Sequence, residues 1–523
     1  MNAMSVFPTI PQTTSVTSVT DAITPRTVDE IFVVDLDNTL IKTDLSIEGI
    51  LKCIKANPFE IFNIIKILLK DPKHLQTLKI YLANNKNVEF NYPHLPYRQS
   101  ILKLIEKQRK ENPNVPVVLA SGSPKKWVEG VAKYLNLFDM VLATSADVNL
   151  IGKNKLKLIN KHFPHSQFSY VGDSLTDIHL WKESKKAIVV NPGPFIQRKL
   201  SNLSPDLSVK FIFDFDSCVN NNWTLSKLKF TLKLKLKLKE IIKLIRVHQW
   251  SKNLLLFVPM ILAHSFTDST KWIAAFMAFF IFSLSSSCVY VINDLLDIDS
   301  DRHRVDRRSR PFASGNLPII WFFPIIICLS ALILFLLPKT NITFANTLLI
   351  YLLLTFAYSL KLKRYLILDV VLLSSFYTLR LYAGGEATST SVSEWFLTFS
   401  IFFFFGLSML KRFIEVKFTA EEIVAGRGYH QQDQIILLIS GVVSSFLSIV
   451  VITLYIHNKT VLAMYKHPGY LWFWVILFLY WTNRIWLLGN RGVIKSDPVA
   501  WVLKDKLSWV IICLILIILI LAL

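Results

Sequence analysis

The stretch NDLLDIDSDRHRVDRRSRPFASG, residues 293–315, decides how the chain is read. It follows WIAAFMAFFIFSLSSSCVYVI (272–292), an apolar run long enough to cross a bilayer. A helix leaving a membrane needs a polar end. It does not need Asp294, Asp297, Asp299 and Asp301 packed together and then Arg302, Arg304, Arg307, Arg308 and Arg310. Like charges at such spacing repel one another on a helix. Something must compensate, and a divalent cation is the first candidate.

Working outward, the chain has 523 residues and is 52% hydrophobic. Residues 1–245 alternate apolar runs with polar segments, like a soluble domain. From about residue 250 onward, apolar runs of spanning length dominate. Nine spans are predicted, at roughly 250–266, 271–292, 318–337, 343–360, 366–384, 395–410, 435–456, 470–489 and 507–523. With the N-terminal part inside, the cytoplasmic loops carry sixteen basic residues. These are the five arginines above, then Lys361, Lys363, Arg364, Lys411, Arg412, Lys417, Arg427, Arg491, Lys495, Lys504 and Lys506. The opposite loops carry Lys271, Lys339, Lys459 and Lys466, a bias that fixes the orientation. The net charge of +21 therefore reads as cytoplasmic loops and attraction to anionic lipid, not as nucleic-acid binding. The five cysteines show no paired spacing, so neither a zinc site nor a disulfide framework is expected. Residues 1–28 lack the basic start and apolar core of a signal peptide and read as a disordered leader.

Asn293, Asp294, Asp297 and Asp301 are spaced i, i+1, i+4, i+8, which brings them to one face of a continuous helix. Such a face suits Mg²⁺, which prefers oxygen ligands and bridges to substrate phosphates. Arg307 and Arg310 suit phosphate oxygens directly. The alternative is a charged helix end lying among headgroups, but acids beside anionic headgroups are unfavourable. The stretch resembles the first Asp-rich signature of the UbiA superfamily of intramembrane prenyltransferases, NDxxDxxxD followed by RPxxSG. The resemblance covers roughly residues 245–523. It implies an all-α polytopic bundle open to a polyprenyl chain, with Mg²⁺-held diphosphate at the cytoplasmic end.

One departure bears on the subclass. Aromatic prenyltransferases of this family usually carry a second DxxxD motif. The corresponding segment, YSLKLKRYLILDVVLLSSFYTLRLYAGG (358–385), has Asp369 but Leu373 where the second acid would fall. It offers instead Tyr358, Lys363, Arg364 and Arg380. An arginine at mid-span costs about 2.5–3.5 kcal/mol on insertion scales and marks a functional interior, unless it sits at a helix end. RVHQWSKNLLLFVPMIL (246–262), KRFIEV (411–416), RGYHQQD (427–433) and SDPVAWVLKD (496–505) resemble the polyprenyl-phosphate phosphoribosyltransferase branch. That resemblance implies a lipid monophosphate acceptor held by Lys252, with Lys411 as a further binding residue. The donor diphosphate would sit with Asn293 and with Mg²⁺ on Asp294 and Asp297. Asp301 or Asp369 would stabilise positive charge at the sugar's anomeric carbon.

In the N-terminal half, VDEIFVVDLDNTLIKTD (28–44) places a strand before Asp35 and Asp37. VPVVLASGSP (115–124) ends a second strand at Ser121, IGKNKLKLI (151–159) supplies Lys155, and FSYVGDSLTDIHLW (168–181) supplies Asp173 and Asp177. Apolar strands ending in polar residues, with helical stretches between, predict a parallel α/β sheet with its site at the strand C-termini. The four motifs resemble the haloacid dehalogenase (HAD) phosphatase superfamily over residues 29–200. The resemblance implies Asp35 as nucleophile, Asp37 as acid/base, Ser121 on a phosphoryl oxygen and Lys155 as neutralising cation, with Lys153 the alternative. Mg²⁺ would be held by Asp35, Asp173 and Asp177. Residues 45–100 read as a small helical cap.

The expected organisation is a leader (1–28), a HAD-like α/β domain (29–215), a basic linker (216–248) and a transmembrane transferase domain (249–523). Within the linker, TLKLKLKLKEIIKLI (231–245) reads as a basic segment on the anionic leaflet. The expected function is phosphoribosyl transfer to a polyprenyl phosphate, with a phosphatase acting on the product. The alternatives are prenyl transfer to an aromatic acceptor such as 4-hydroxybenzoate, or a lipid-binding protein with inert motifs. The expected partners are a polyprenyl lipid, a diphosphate-bearing donor and the membrane, with the HAD-like domain on the cytoplasmic side of a bacterial inner membrane.

Overall fold

The computed structural model describes residues 28–70, 74–201, 208–213, 226–418, 428–494 and 497–523. The expected leader, apart from Val28, and the loop residues Arg427 and Lys495 lie outside them. The chain folds as two compact units, Met1–Lys243 with Asp294–Trp321, and Leu244–Asn293 with Phe322–Leu523.

The first unit is built on six parallel strands: β1 (Glu30–Val34), β2 (Val117–Pro124), β3 (Met140–Thr144), β4 (Gln167–Gly172), β5 (Lys186–Val190) and β6 (Ser208–Ile212). Their order is β3-β2-β1-β4-β5-β6. Strands covered on both faces need apolar residues at successive positions, which β1 supplies. Phe32 and Val34 enter one core with Leu119 and Val171, while Ile31 and Val33 enter the other with Val118 and Tyr170. The chain order reverses beside β1, so a crevice opens at the C-terminal ends of β1 and β4. The helical segment expected at 45–100 is present as Leu45–Ala56, Glu60–Lys70 and His74–Asn84.

Residues Asp294–Trp321 belong to this unit as well. Here the structure departs from the expected single helical face of acids. The helix Ser269–Leu296 stops, Asp297 leaves helical geometry at φ −99° and ψ 10°, and a short helix begins at Ile298. Repulsion among closely spaced carboxylates disfavours continuing the helix through them.

Among the described residues, six helices are long and apolar enough to cross a membrane: Ser269–Leu296, Ile319–Lys339, Ile342–Leu360, Glu394–Phe418, Gln431–Ile456 and Pro468–Asn490. The other three expected spans are not among these six. Residues 250–266 become a tight 3₁₀ segment, Val247–Phe257, and a five-residue helix, Val258–Leu262, with Pro259 near its start. Proline has no N–H for a preceding turn, so one continuous helix is not available there. Residues 366–384 form the helix Leu368–Ala387, in which Asp369 and Arg380 are buried. Residues 507–523 form Lys506–Ala522, a 17-residue apolar helix. The period-two pattern of the linker folds as a helix, Ser226–Leu244, that exposes Leu234, Leu238 and Ile242.

Candidate functional site

At the C-terminal end of β1, the chain turns sharply through Leu36–Leu40, with Asn38 at φ +55°. Arg98, itself buried, donates to the carbonyls of Thr39 (2.9 Å) and Asn38 (2.8 Å) and holds this turn in shape. The turn places Asp35 beside Lys155, whose Nζ lies 3.0 Å from Asp35 Oδ1 and 3.9 Å from Asp177 Oδ1. Tyr170 Oη accepts from Lys155 at 2.9 Å and donates to Asp177 at 3.0 Å. Thr39 Oγ1 donates to Asp173 at 3.3 Å. Lys155 is therefore the lysine at the cluster, while Lys153 is exposed at the helix start.

Among the described residues, Asp35, Asp173 and Asp177 form a group whose carboxylate oxygens lie within 4.8 Å of one another. Burial pushes the Asp35 carboxyl up to about 7, with Asp177 and Asp37 adding to the push and Lys155 opposing it. Burial, then Asp35 and Asp177, also hold Asp173 well above the usual carboxylate range. Burial alone would lower the Lys155 ammonium, but Asp35 and Asp177 outweigh it and keep it above its ordinary value. One lysine among three crowded carboxylates leaves negative charge uncompensated, and these residues fit a divalent cation.

Asp37 faces a second hydrogen-bond group. Its Oδ2 accepts from Ser121 Oγ (3.0 Å) and Ser123 Oγ (2.7 Å), and its Oδ1 accepts from the Leu45 amide (2.9 Å). Ser123 was not anticipated. Its position two residues beyond Ser121 on the same strand end is the signal that would have found it.

In the segment 294–321, Arg310 Nη1 bridges Asp294 Oδ1 (3.1 Å) and Asp301 Oδ2 (2.6 Å). Asp301 is fully buried, and among the described residues its Oδ1 has no hydrogen-bond partner. A buried carboxylate oxygen left this way is costly and marks a place for a cation or donor. Asn293 donates to Ser359 Oγ at 2.9 Å, Arg307 is half-buried and Asp297 sits at the residue just before the short helix. Asp299 and Arg302 turn the other way. Asp299 pairs with Lys52 at 2.7 Å, and Arg302 meets both oxygens of Glu48 at 2.6 and 2.9 Å.

Among the described residues of the second unit, three polar clusters hold residues singled out by the sequence. Lys252 and Lys411 share Asp497 Oδ2, at 2.8 and 3.3 Å. Although burial raises it, Lys411 and Lys252 hold the Asp497 carboxyl well below its ordinary range. Arg380 lies mid-helix and buried, donating to Asn253 Oδ1 (2.8 Å), Tyr351 Oη (2.8 Å) and the Phe376 carbonyl (2.6 Å). Its guanidinium sits 4.9 Å from the Tyr351 ring centroid and 5.6 Å from that of Tyr377. Asp369 is gripped by Arg412 Nε on one oxygen and Tyr429 Oη on the other, both at 2.6 Å. Arg412 also pairs with Glu415 at 2.6 Å and reaches Tyr358 Oη at 3.5 Å. Lys363 and Arg364 lie in the short turn Leu362–Arg364. Leu373 packs with the apolar cluster around Phe376. By sequence Arg412 counts only as a loop charge. Its place beside Lys411 in an otherwise apolar helix is the signal of a buried ion pair.

Membrane-length helices with charges paired inside the bundle fit an integral membrane protein. Residues 254–501 match the model of the UbiA prenyltransferase family, and the C-terminal region of the chain belongs to that family of transferases. The uncharacterized protein y4nM of Sinorhizobium fredii is 31% identical over 485 residues, covering 92% of this chain and 89% of that one. Nodulation protein NoeC of Azorhizobium caulinodans is 29% identical over 277 residues, 51% of this chain and 88% of that one. Decaprenyl-phosphate phosphoribosyltransferase of Mycobacterium tuberculosis is 30% identical over 182 residues, 34% of this chain and 60% of that one.

Proposed function

We propose that the C-terminal region of the chain transfers a 5-phosphoribosyl group from phosphoribosyl diphosphate to a polyprenyl phosphate. The observation that carries this reading is the sharing of Asp497 by Lys252 and Lys411. Two ammonium groups on one carboxylate leave positive charge suited to a lipid monophosphate. Leucine at position 373, in place of a second acid, agrees with a bundle that does not clamp a prenyl diphosphate through two acidic motifs. The similarity to a decaprenyl-phosphate phosphoribosyltransferase supports the same choice. An oxygen of the lipid phosphate bonds to the anomeric carbon as the bond from that carbon to the diphosphate breaks, and diphosphate departs. Asp294 and Asp297 would hold Mg²⁺, which neutralises charge on the departing diphosphate. Arg307 and Arg310 add donors to its oxygens. Asp301, with its unpartnered buried oxygen, is a stronger candidate than Asp369 for facing the positive anomeric carbon, because both Asp369 oxygens are engaged.

The sheet site supports a phosphatase reading of HAD type. Asp35 attacks phosphorus, the bond to the alcohol oxygen breaks, and Asp37 protonates that oxygen. Asp37 then takes a proton from the water that cleaves the aspartyl-phosphate, releasing inorganic phosphate. Lys155 compensates charge on the nucleophile, and Asp35, Asp173 and Asp177 would hold Mg²⁺, which neutralises the phosphoryl oxygens. The 5-phosphate on the transfer product is the monoester assigned to this site.

The test is incubation of membranes with labelled phosphoribosyl diphosphate and a polyprenyl phosphate. Labelled lipid is expected, lost in EDTA and in Asp294→Asn. The Asp35→Asn variant is expected to accumulate the phosphorylated lipid. Transfer of a prenyl group to 4-hydroxybenzoate, with phosphoribosyl diphosphate ignored, would establish the aromatic reading instead.

A further inference from the structure

Beside Asp173 the first unit opens a cavity of about 520 Å³. One side is made by the sheet and its loops, including Lys42 and Asn191. Another is made by Lys237 and Glu240 of the helix Ser226–Leu244. The remaining wall, Gly315, Asn316 and Pro318, follows directly on the acid and arginine signature. The residues that close this pocket thus come from the stretch that carries the transferase motif.

The wall is built to stay there. Gly315 has φ +68°, and a Cβ on it would lie 2.6 Å from Lys42 Cβ and 3.0 Å from the Lys42 carbonyl oxygen. Only glycine allows this approach. Lys42 Nζ reaches Asn316 Oδ1 at 3.3 Å. Behind the wall, Arg302 Nε donates to the Ala313 carbonyl at 2.9 Å while its other nitrogens hold the buried Glu48. Glu48 in turn accepts from Thr43 Oγ1 at 2.6 Å, one residue from Lys42.

We propose that this cavity seats the alcohol part of a polyhydroxylated sugar phosphate, and that Lys42 and Asn316 are its specificity-determining residues. The proposal rests on the phosphatase reading of Asp35 and adds to it the residues that recognise the leaving group. Amide, ammonium and carboxylate groups from three elements converge on the space next to the carboxylate cluster. A pocket lined this way accepts a ligand that offers both donors and acceptors, and it disfavours an aromatic one that offers neither. Leu236 lies at the edge of the same cavity, on the helix that exposes Leu234 and Leu238. A lipid-linked sugar phosphate and a free one share the recognised chemistry.

The experiment uses the full-length protein in detergent with Mg²⁺. Hydrolysis of ribose 5-phosphate is compared with that of p-nitrophenyl phosphate in wild type, Lys42→Ala and Asn316→Ala. The ratio of the two kcat/KM values is expected to fall about tenfold in each variant, the scale of one lost hydrogen bond to substrate. A ratio unchanged in both variants overturns the proposal while leaving the phosphatase reading intact. Equilibrium binding of ribose 5-phosphate against inorganic phosphate to Asp35→Asn, with and without Asn316→Ala, gives a readout free of turnover. If wild type hydrolyses neither ester but this sugar preference is present and lost in Asn316→Ala, the phosphatase reading fails and the sugar-phosphate site stands. If the preference is absent as well, both fail. A higher kcat/KM for the vesicle-borne lipid product than for free ribose 5-phosphate identifies the lipid as the source, and the reverse order identifies the soluble ester.

Discussion

Asp44 starts the helix Leu45–Ala56, accepting from the amides of Ser46 at 2.8 Å and Ile47 at 3.3 Å. Burial, followed by repulsion from Asp37, raises its carboxyl from 3.8 to about 6, against the pull of those two amides. The folded state therefore binds this proton more tightly than the unfolded chain does. The stability it contributes is present below about pH 4 and is lost as pH rises through about 6. Asn caps a helix as well as Asp and carries no charge. Asp44→Asn should thus gain thermal stability relative to wild type as pH rises from about 4 to 7, read as the difference between their unfolding midpoints. A difference that stays constant over that range would sink the assignment. At this scale the sheet cluster was legible, because acids and a lysine that follow apolar strands must meet where parallel strands end. Ser123 was legible only through its spacing from Ser121, and Arg98 was not legible, since it acts on backbone carbonyls of a turn whose shape no residue pattern announces.

Between elements, the pair Arg412–Asp369 ties the helix Glu394–Lys417 to the helix Leu368–Ala387, with Tyr429 completing the Asp369 shell. Both charged groups are almost wholly buried, so removing one partner strands the other. Arg412→Met should destabilise the protein by roughly 3–5 kcal/mol, and the double variant Arg412→Met with Asp369→Leu should recover much of that loss. Midpoints of unfolding in detergent would show it, and a single variant as stable as wild type would mean the pair contributes nothing. A second constraint sits further along the same helix. A Cβ on Gly384 would lie 2.1 Å from the Leu256 carbonyl oxygen, which belongs to backbone and cannot turn aside. Gly384→Ala should force the Val247–Phe257 segment away from the helix at a cost of about 1–3 kcal/mol, seen as a lower inactivation temperature. Such a close approach explains part of what the sequence concealed. Residues 250–266 have the apolarity of a span, but Pro259 and the contact at Gly384 shape them into a short packed segment. The acid-rich stretch was legible in composition and not in geometry, since a regular helix was assumed through charges that break it at Asp297.

At the scale of the whole chain, residues 294–321 begin in the last turn of the first membrane-length helix, yet they fold with the N-terminal residues as one compact unit. The anchors are specific: Glu48 on Arg302, Lys52 on Asp299, Lys55 on the Leu296 carbonyl, and Asn91 on His303. Two of these partners sit on residues flanking Asp301, which Arg310 holds together with Asp294. The Arg302–Glu48 pair is buried on both sides, and Thr43 adds a hydrogen bond to Glu48. Without those partners, Arg302 would be left as an uncompensated buried charge or would turn out to solvent and release the segment. The N-terminal residues therefore shape the acid and arginine signature, whatever reaction their own site performs. A chain lacking residues 1–243 should lose transfer by about tenfold or more, because the acidic side chains lose the packing that fixes their positions. Asp35→Asn keeps every one of these anchors and removes only the carboxylate proposed as nucleophile of the sheet site, so its transfer rate should match wild type. Assaying the two side by side, at equal amounts of folded protein, separates scaffold from chemistry. A truncated chain that transfers as fast as the intact one would show that the signature holds its shape unaided. A loss in Asp35→Asn as large as in the truncated chain would show instead that transfer depends on turnover at the sheet site.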